Sequence, residues 1–280
     1  MNIAIISKPK SGNIDALKAA FEEKGIKPSV FDITKIGLLT EDDKNSILVA
    51  NKRLDNFDAV YIEAQPFLSQ FVEPLLAQVV EKGIYCPFKP GSFYELSNNG
   101  AFFQLLNSAK IPIPKTTIAT KNITTDQISK TMAFPLSVKT FVKNIKTQSI
   151  MLESERGLES LMKSFRSEIS MVVLQEFLEG DLFYCVVIGN EVLSAKRKWN
   201  PEKFTNNEKL IKTALSEDDK KLALKVARNI GTDIVTVKII NDKIVGIKPL
   251  IDFSLFNKAF GINIESVIVD MFIKKLGDDS

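Results

Sequence analysis

Two basic side chains stand in apolar, strand-like segments of the sequence. Lys139 follows the run Leu-Ser-Val at 136–138, and Arg197 ends a later run. A lysine inside such a run is expensive to bury without an anionic partner, and the planar, permanently charged guanidinium of arginine suits phosphate oxygens. These residues therefore indicate anion binding. The alternative is a lysine on an edge strand and an arginine at a solvated strand end, where Lys196 and Lys198 flank it.

The composition excludes several kinds of site. The 280 residues include no histidine, so the chain cannot hold a Ser-His-Asp triad, a histidine general base or a Cys/His zinc site. The two cysteines, Cys86 and Cys185, lie in apolar segments, and we expect buried, reduced thiols. The net charge of +3 is not the footprint of a nucleic-acid-binding protein. No long apolar run or signal-peptide pattern occurs, so we expect a cytoplasmic protein without a membrane partner.

Short apolar runs and amphipathic segments alternate in the first part of the chain. They predict strands at 3–6, 28–31 and 59–62 and helices at 15–24 and 71–82. Alternation of this kind is typical of a doubly wound parallel α/β domain. Pro87, Pro90 and Gly91 cluster after it, so we place the end of the domain near residue 90.

The second part of the chain has paired strands instead. The pattern predicts strands at 136–141, 148–152, 172–178, 182–188, 191–197, 234–240 and 244–250, and helices at 101–109, 216–229 and 264–275. Gly189-Asn190 and Asn241-Asp242 have the composition of tight hairpin turns. Ser216 is the predicted cap of the 216–229 helix. This part is therefore α+β with mostly antiparallel sheet.

Five short strings occur in an order and spacing that a known family shares. They are QLL through IPIPKT at 104–116, FPLSVK at 134–139, VLQEFL at 173–178, IGNEV through KRK at 188–198 and AFGINI at 259–264. Together they resemble the ATP-grasp superfamily, and within it the RimK-like branch of ATP-dependent carboxylate–amine ligases. The resemblance covers nearly the whole chain.

The resemblance implies an α/β ATP-grasp fold with three parts. These are a doubly wound parallel domain at 1–90, a central α+β subdomain with a lid hairpin at 91–172, and a C-terminal α+β subdomain at 173–280. The two subdomains would clamp a nucleotide cleft. The family's chemistry proceeds through an acyl phosphate that an amine then attacks, and it needs no histidine.

The resemblance also assigns roles to particular positions. Lys139 matches a lysine that contacts ATP phosphates, and Arg197 matches a catalytic arginine that reaches the phosphates. The nucleotide-binding hinge falls on Gln175, Glu176, Phe177 and Leu178. The acid that would hold the ribose falls on Leu182, with Asp181 adjacent as its substitute. Asn207 matches a polar position near the substrate.

The family's metal ligands are replaced in this sequence. The first carboxylate falls on Lys238. The later Glu-x-Asn pair falls on Lys248 and Leu250 if the hairpin turn is two residues shorter than usual, or on Leu250 and Asp252 if it is not. Lysine supplies no oxygen ligand, so we expect no Mg²⁺ site.

The glycine-rich lid of the family is replaced as well. The corresponding loop at 143–148 contains no glycine, so backbone approach to a phosphate is sterically harder. The loop supplies Lys143 and Lys146 instead, and Asn99 stands where a second phosphate-contacting lysine is expected.

Six basic residues therefore map to one cleft: Lys139, Lys143, Lys146, Arg197, Lys238 and Lys248. We interpret the cleft as a pocket that binds a nucleotide such as ATP, or another phosphate-bearing ligand, without metal and with doubtful catalytic competence. One alternative is an active ligase that joins an amino acid or peptide amine to a carboxylate. Another is a site that has lost its chemistry in a scaffold or partner subunit. Nucleic-acid binding is disfavoured by the balanced charge, and a homo-oligomer is left open.

Overall fold

The chain begins with a three-stranded parallel sheet flanked by two helices. The computed structural model describes residues 1–9, 11–42, 44–49, 52–120, 122–142, 145–165, 171–203, 205–206 and 209–278. The strands are β1 (Ile3–Ser7), β2 (Ser29–Asp32) and β6 (Ala59–Glu63), and the helices are α1 (Gly12–Glu23) and α2 (Ser69–Glu81). The sheet order is β2-β1-β6, and the central strand β1 is buried along its whole length. The parallel α/β prediction is confirmed for this part.

A small antiparallel sheet between β2 and β6 was not predicted. It consists of β3 (Ile36–Glu41), β4 (Lys44–Val49) and β5 (Lys52–Arg53). Ile36, Ile47 and Val49 are buried, whereas Leu39 and Leu48 are exposed. Apolar residues on both faces blur the alternation by which a half-buried strand is recognised in a sequence.

The segment after α2 hydrogen-bonds to both halves of the molecule. Tyr85 pairs with Ala59, and Phe88 pairs with Thr232 far along the chain. Two short helices, α3 (Ser92–Ser97) and α4 (Asn99–Ser108), follow. The expected boundary near residue 90 falls in this segment, and the limits 1–90, 91–172 and 173–280 stay predictions.

The next unit is a four-stranded antiparallel sheet covered by two helices. Its strands are β7 (Thr116–Thr120), β8 (Leu136–Val142), β9 (Ile145–Leu152) and β10 (Met171–Glu176), and the helices are α5 (Thr125–Ser129) and α6 (Glu155–Lys163). The order is β7-β10-β8-β9. Leu136 and Val138 of β8 are fully buried in a core with Leu158 of α6. Because successive side chains of a strand point to opposite faces, Ser137 and Lys139 lie on the other face of this sheet.

The last unit is a five-stranded sheet with three helices. Its strands are β11 (Leu182–Ile188), β12 (Glu191–Arg197), β15 (Ile211–Lys212), β16 (Ile234–Ile240) and β17 (Lys243–Lys248), in the order β15-β12-β11-β16-β17. A short hairpin is formed by β13 (Trp199–Asn200) and β14 (Thr205–Asn206), and the helices are α7 (Glu217–Ile230), α8 (Phe253–Phe260) and α9 (Ile264–Asp278). The predicted α+β arrangement is confirmed. In the part of the chain that is described, no helix is both long and apolar enough to cross a bilayer.

The two cysteines differ in their surroundings. Cys185 is buried as predicted, whereas Cys86 is only half-buried, and both are free thiols. Desolvation raises the pKa of each thiol to about 12, so both are protonated at neutral pH. Protonated thiols of this kind are poor nucleophiles, which fits a structural role.

The predicted cap of α7 permits a test of helix stability. The Ser216 hydroxyl accepts a hydrogen bond from the Asp219 amide at 3.0 Å. We expect Ser216→Ala to lower the free energy of unfolding by about 1 kcal/mol, because one amide of the first turn loses its acceptor. Urea unfolding followed by circular dichroism measures this loss. Lys225→Ala, at an exposed position of the same helix, is the control, and an equal loss in both variants would contradict the capping role.

Candidate functional site

A cavity of about 330 Å³ lies between the four-stranded β7-β10-β8-β9 sheet and the β16–β17 hairpin. Its wall includes residues of α4, β8, β10, the segment after β10, and β16 and β17. Those that the following account uses are Lys139, Gln175, Glu176, Phe177, Leu178, Trp199, Lys238, Val245 and Gly246. The volume lies within the range of about 300 to 1,000 Å³ that is usual for small-molecule sites.

Lys139 reaches this cavity because Val138 and Leu136 bury the other face of β8. Its ammonium group donates hydrogen bonds to the Gln175 side chain and to the backbone carbonyl of Val245, the latter at 2.7 Å. It also lies 5.6 Å from the ring centre of Phe103, in a cation–π arrangement. These three partners are all neutral, so they orient the charge of Lys139 without neutralising it.

The Val245 carbonyl is available because the β16–β17 hairpin is irregular. The ladder shifts by one residue between Lys238 and Ile239, so that Lys238 pairs with Gly246 and Ile239 with Ile244. Val245 is the extra residue, as in a β-bulge. A side chain at Gly246 would meet no atom within 4 Å, so space is open in front of this glycine. The sequence indicates this bulge only through Gly246, an isolated glycine in a strand that is rich in β-branched residues.

Lys238 lies on the same side of the cavity, next to an aromatic ring. Its ammonium nitrogen is 5.5 Å from the centre of the Tyr184 ring, and the Arg197 guanidinium carbon is also 5.5 Å from that centre. Tyr184 pairs directly with Lys238 across the sheet. Burial raises the pKa of Tyr184, although the charge of Arg197 opposes this effect. The phenol stays neutral, and its ring can bind both cations. Lys238 lines the cavity, and Arg197 is not part of its wall.

The hinge residues Gln175 to Leu178 also line the cavity. Gln175 is buried, and its amide donates to the Thr116 hydroxyl at 2.9 Å, so its side chain orients Lys139. The predicted strand at 172–178 ends at Glu176, and Phe177 and Leu178 continue as irregular chain. The Phe177 and Trp199 rings lie 5.7 Å apart. The two rings provide an apolar part of the cavity wall. The sequence analysis did not predict a role for Trp199.

Asp181 has a structural contact in place of the expected ligand contact. Its carboxylate accepts a hydrogen bond from the Trp199 amide at 2.8 Å and forms an ion pair with Lys196, also at 2.8 Å. These bonds lower the pKa of Asp181. The residue is not part of the cavity wall. In this structure it holds the start of β13, and with it the Trp199 ring.

Of the remaining predicted residues, Lys248 is the one whose side chain the structure describes. Lys248 pairs with Thr236, which precedes Lys238 by two residues in β16. Lys248 does not line the cavity. Lys143 and Asn207 lie outside the residues that are described, and Lys146 is described only in its backbone, within β9. The clustering of six basic residues is therefore seen only for Lys139 and Lys238, with Arg197 adjacent.

The residues present do not fit a divalent metal. The β16–β17 turn contains only Asn241 and Asp242, and Asp252 caps α8 by accepting from the Leu255 amide at 3.0 Å. Lys238 lines the cavity, and Asp252 does not. Within the described ranges, no group of three or more His, Cys, Asp or Glu side chains could hold a metal ion. Mg²⁺ requires oxygen ligands, and this cavity offers ammonium groups.

The cavity wall combines cationic and aromatic groups. Lys139 and Lys238 supply ammonium groups, and Phe177 and Trp199 supply apolar ring surface. An ammonium group can bind phosphate as a point charge.

The ion pair between Glu176 and Lys243 makes the free energy of unfolding depend on pH. Glu176 pairs with Lys243, and this hydrogen bond lowers its pKa below the ordinary value of 4.5, as neighbouring groups do for Asp181. A lowered carboxyl pKa stabilises the fold above the unfolded pKa, and the contribution disappears as the pH falls through the folded pKa. We expect the urea midpoint to fall below about pH 4.5, and less steeply in Glu176→Gln. Glu202→Gln, at an exposed carboxylate, should follow the wild-type curve.

A second, larger cleft lies on another side of the molecule. Its volume is about 1,000 Å³, and its wall includes Tyr85, Arg228 and Asp233. The Tyr85 hydroxyl donates to Asp233 at 2.7 Å, and Lys275 lies 3.6 Å from the same carboxylate. These groups join the junction segment to the C-terminal unit. The smaller cavity combines cations with an apolar wall, and we therefore take it as the candidate site.

Comparison with known sequences supports a family assignment. A model of the RimK-like ATP-grasp domain matches residues 97–272, which is more than half of the chain. A probable alpha-L-glutamate ligase of Vibrio atlanticus is 24% identical over 255 residues, covering 87% of this chain and 84% of that protein. A probable alpha-L-glutamate ligase 2 of Shewanella frigidimarina is 26% identical over 252 residues, covering 86% and 84%.

Comparison with solved structures confirms the fold. The ATP-grasp ligase PsnB, complexed with precursor peptide PsnA2 and AMPPNP, has a TM-score of 0.77 at 15% identity, covering 98% of this chain and 97% of that one. A RimK domain protein ATP-grasp from Sphaerobacter thermophilus has a TM-score of 0.68 at 17% identity, covering 98% and 100%. At these identities the likeness shows the fold alone. The match of the family model over residues 97–272 shows that the chain belongs to the RimK-like ATP-grasp family.

Proposed function

We propose that this protein binds ATP in the 330 Å³ cavity and holds its phosphates with Lys139 and Lys238. The observation that carries the proposal is the presence of both ammonium groups in one cavity. Lys139 is oriented by the neutral partners Gln175, Val245 and Phe103. Both ammonium groups line the cavity, and a phosphate supplies several acceptor oxygens to groups of this kind.

The hinge segment of the cavity wall suits the adenine base. The Glu176 and Phe177 amides donate to the Lys115 and Pro135 carbonyls. None of the described residues accepts a hydrogen bond from the Leu178 amide. This amide is therefore available to the edge of a base that lies against Phe177. Backbone pairing of this kind, with Leu178 as donor, is how we expect the hinge to select a purine.

Isothermal titration calorimetry with ATP tests the proposal. We expect saturable binding to the full chain, together with an increase in the thermal midpoint, because a ligand that binds only the folded state stabilises it. The thermal midpoint should also rise with ADP, and less with adenosine, which lacks the phosphates. Failure of ATP to bind, with or without Mg²⁺, would contradict the proposal.

Ligase activity is the second candidate function. The relatives from Vibrio atlanticus and Shewanella frigidimarina are named probable alpha-L-glutamate ligases. One structure of PsnB is complexed with a minimal precursor, Mg and ADP, and another with a precursor peptide. By this analogy the co-substrates would be an amino acid and a small-molecule or peptide carboxylate. Release of phosphate from ATP in the presence of glutamate and a panel of peptides is the test. Binding without phosphate release under all these conditions would favour a nucleotide-binding module without catalysis.

A further inference from the structure

Part of the aromatic wall of the cavity lies on a small hairpin. Trp199, the single tryptophan of the chain, begins β13, and Thr205 of β14 lines the cavity as well. Among the described residues, β13 and β14 pair with each other and belong to none of the larger sheets. A two-stranded hairpin is at best marginally stable by itself. The position of the Trp199 ring therefore depends on contacts that fix the hairpin to the rest of the molecule.

Asp181 makes such a contact at the end of the β11–β12 ladder. Leu182 pairs with Arg197, so Asp181, one residue earlier, faces the chain where it leaves β12. One oxygen of the Asp181 carboxylate accepts a hydrogen bond from the Trp199 amide at 2.8 Å. The other oxygen lies 2.8 Å from the ammonium group of Lys196. The carboxylate therefore joins a residue of β12 to the first residue of β13.

The charge and the location of Asp181 suit a positioning role. The hydrogen bonds from Lys196 and from the Trp199 amide lower the pKa of its carboxyl group, so the group is ionised at neutral pH. Hydrogen bonds to an ionised acceptor are roughly twice as strong as those between neutral groups. Asp181 does not line the cavity. It can therefore affect a ligand there only through a residue that does, and Trp199 is such a residue.

The geometry of the two aromatic rings limits how a planar base can lie in the cavity. The Trp199 and Phe177 rings are inclined by 56°, and their centres are 5.7 Å apart. A base between two parallel rings needs about 7 Å, which is twice the contact distance of about 3.5 Å. A base stacked on the face of Trp199 would instead meet Phe177 with its edge. Both offset stacking and edge-to-face contact are favourable for aromatic rings.

We propose that the base of the bound nucleotide stacks on Trp199, and that Asp181 is the positioning residue that holds this ring in the cavity wall. The inference rests on the proposed ATP binding, and it adds the two residues that make binding depend on the base. Stacking on an aromatic side chain contributes about tenfold or more to affinity. The effect of Asp181 on affinity passes through Trp199.

Calorimetric titration of the full chain with ATP and with inorganic tripolyphosphate tests the inference. We expect Trp199→Ala to weaken ATP binding by about tenfold and to leave tripolyphosphate binding unchanged, because tripolyphosphate has no base. Asp181→Ala should show the same pattern. In the Trp199→Ala background, Asp181→Ala should have no further effect on ATP binding, since the ring that it positions is absent.

Trp199 fluorescence gives a second readout that needs no ligand. We expect Asp181→Ala to shift the emission to longer wavelength and to increase quenching by acrylamide, because the ring is released toward solvent. Asp181→Asn keeps an acceptor for the Trp199 amide and should restore most of the wild-type emission. The matched control is Asp126→Ala, which removes an exposed carboxylate paired with Lys130 at 2.7 Å, outside the cavity wall. Circular dichroism shows that each variant is folded.

The outcomes separate this inference from the proposal on which it rests. If Trp199→Ala binds ATP as the wild type does, ATP binding stands and stacking on Trp199 is wrong. If Asp181→Ala leaves the emission unchanged, or weakens ATP binding equally with and without Trp199, the positioning role of Asp181 is wrong. If neither ATP nor tripolyphosphate binds to the wild type, the proposed function is wrong and stacking on Trp199 is wrong with it.

Discussion

Lys139→Met is expected to weaken ATP binding by about tenfold to a hundredfold without lowering the stability of the protein. A hydrogen bond to a charged group is worth about 1.5 to 3 kcal/mol, and each 1.4 kcal/mol is about tenfold in affinity. Methionine keeps the length and the apolar stem of the side chain, so contact with Phe103 can remain. It removes the charge that Gln175 and Val245 orient toward the cavity.

The stability of this variant should change little. Lys139 is half-buried, and burial of its charge carries a desolvation cost that methionine removes. In the opposite sense, the Gln175 side chain and the Val245 carbonyl lose their donor. Calorimetry and urea unfolding, measured on the same preparation, test both statements. Unchanged affinity would show that phosphate does not contact Lys139, and a large loss of stability would show that this lysine is mainly structural.

Phe272→Ala is expected to lower the free energy of unfolding by about 3 to 5 kcal/mol, the largest stability effect that we predict. Phe272 in α9 is fully buried. Its ring meets Phe21 of α1 at 5.7 Å and Tyr85 of the junction segment at 5.3 Å, both edge to face. Truncation leaves a cavity at the point where the first and last helices meet, and such a cavity cannot be filled without moving either helix.

An exposed phenylalanine provides the control for this variant. Phe67 is 45% exposed and lies beneath the ammonium group of Lys8 at 5.1 Å. Phe67→Ala should cost well under 1 kcal/mol, since surface changes are usually small. Urea unfolding, measured for both variants and the wild type under the same conditions, compares the two losses of free energy. A loss in Phe272→Ala as small as the loss in Phe67→Ala would mean that the contact between α1 and α9 contributes little to stability.

Local patterns predicted the regular elements of this chain well. The buried face of β8 follows from the alternation of Leu136 and Val138, and it directs Lys139 to the opposite face. Ser216 caps α7, and Gly231 ends it in the left-handed conformation. Both features depend on residues within a few positions of each other, so a short window of sequence contains the necessary information.

Other features of the site depend on atoms that carry no residue signature. The partner of Lys139 at Val245 is a backbone carbonyl, and any residue in the bulge would present one. The wall provided by Trp199 depends on Asp181, which sequence reasoning assigned to the ribose. The sheet β3-β4-β5 has apolar residues on both faces, and its strands were missed for that reason.

The sequence by itself determined most of the long strands and helices, the family and the absence of histidine chemistry. Only the tertiary structure decided that Lys139 and Lys238 share a cavity, that Arg197 lies on the Tyr184 ring and that Asp252 caps a helix. The physical reason is range. Strand alternation and capping act over a few residues, whereas this cavity forms where β8 and the β16–β17 hairpin, distant in the chain, come together through Lys139 and Val245.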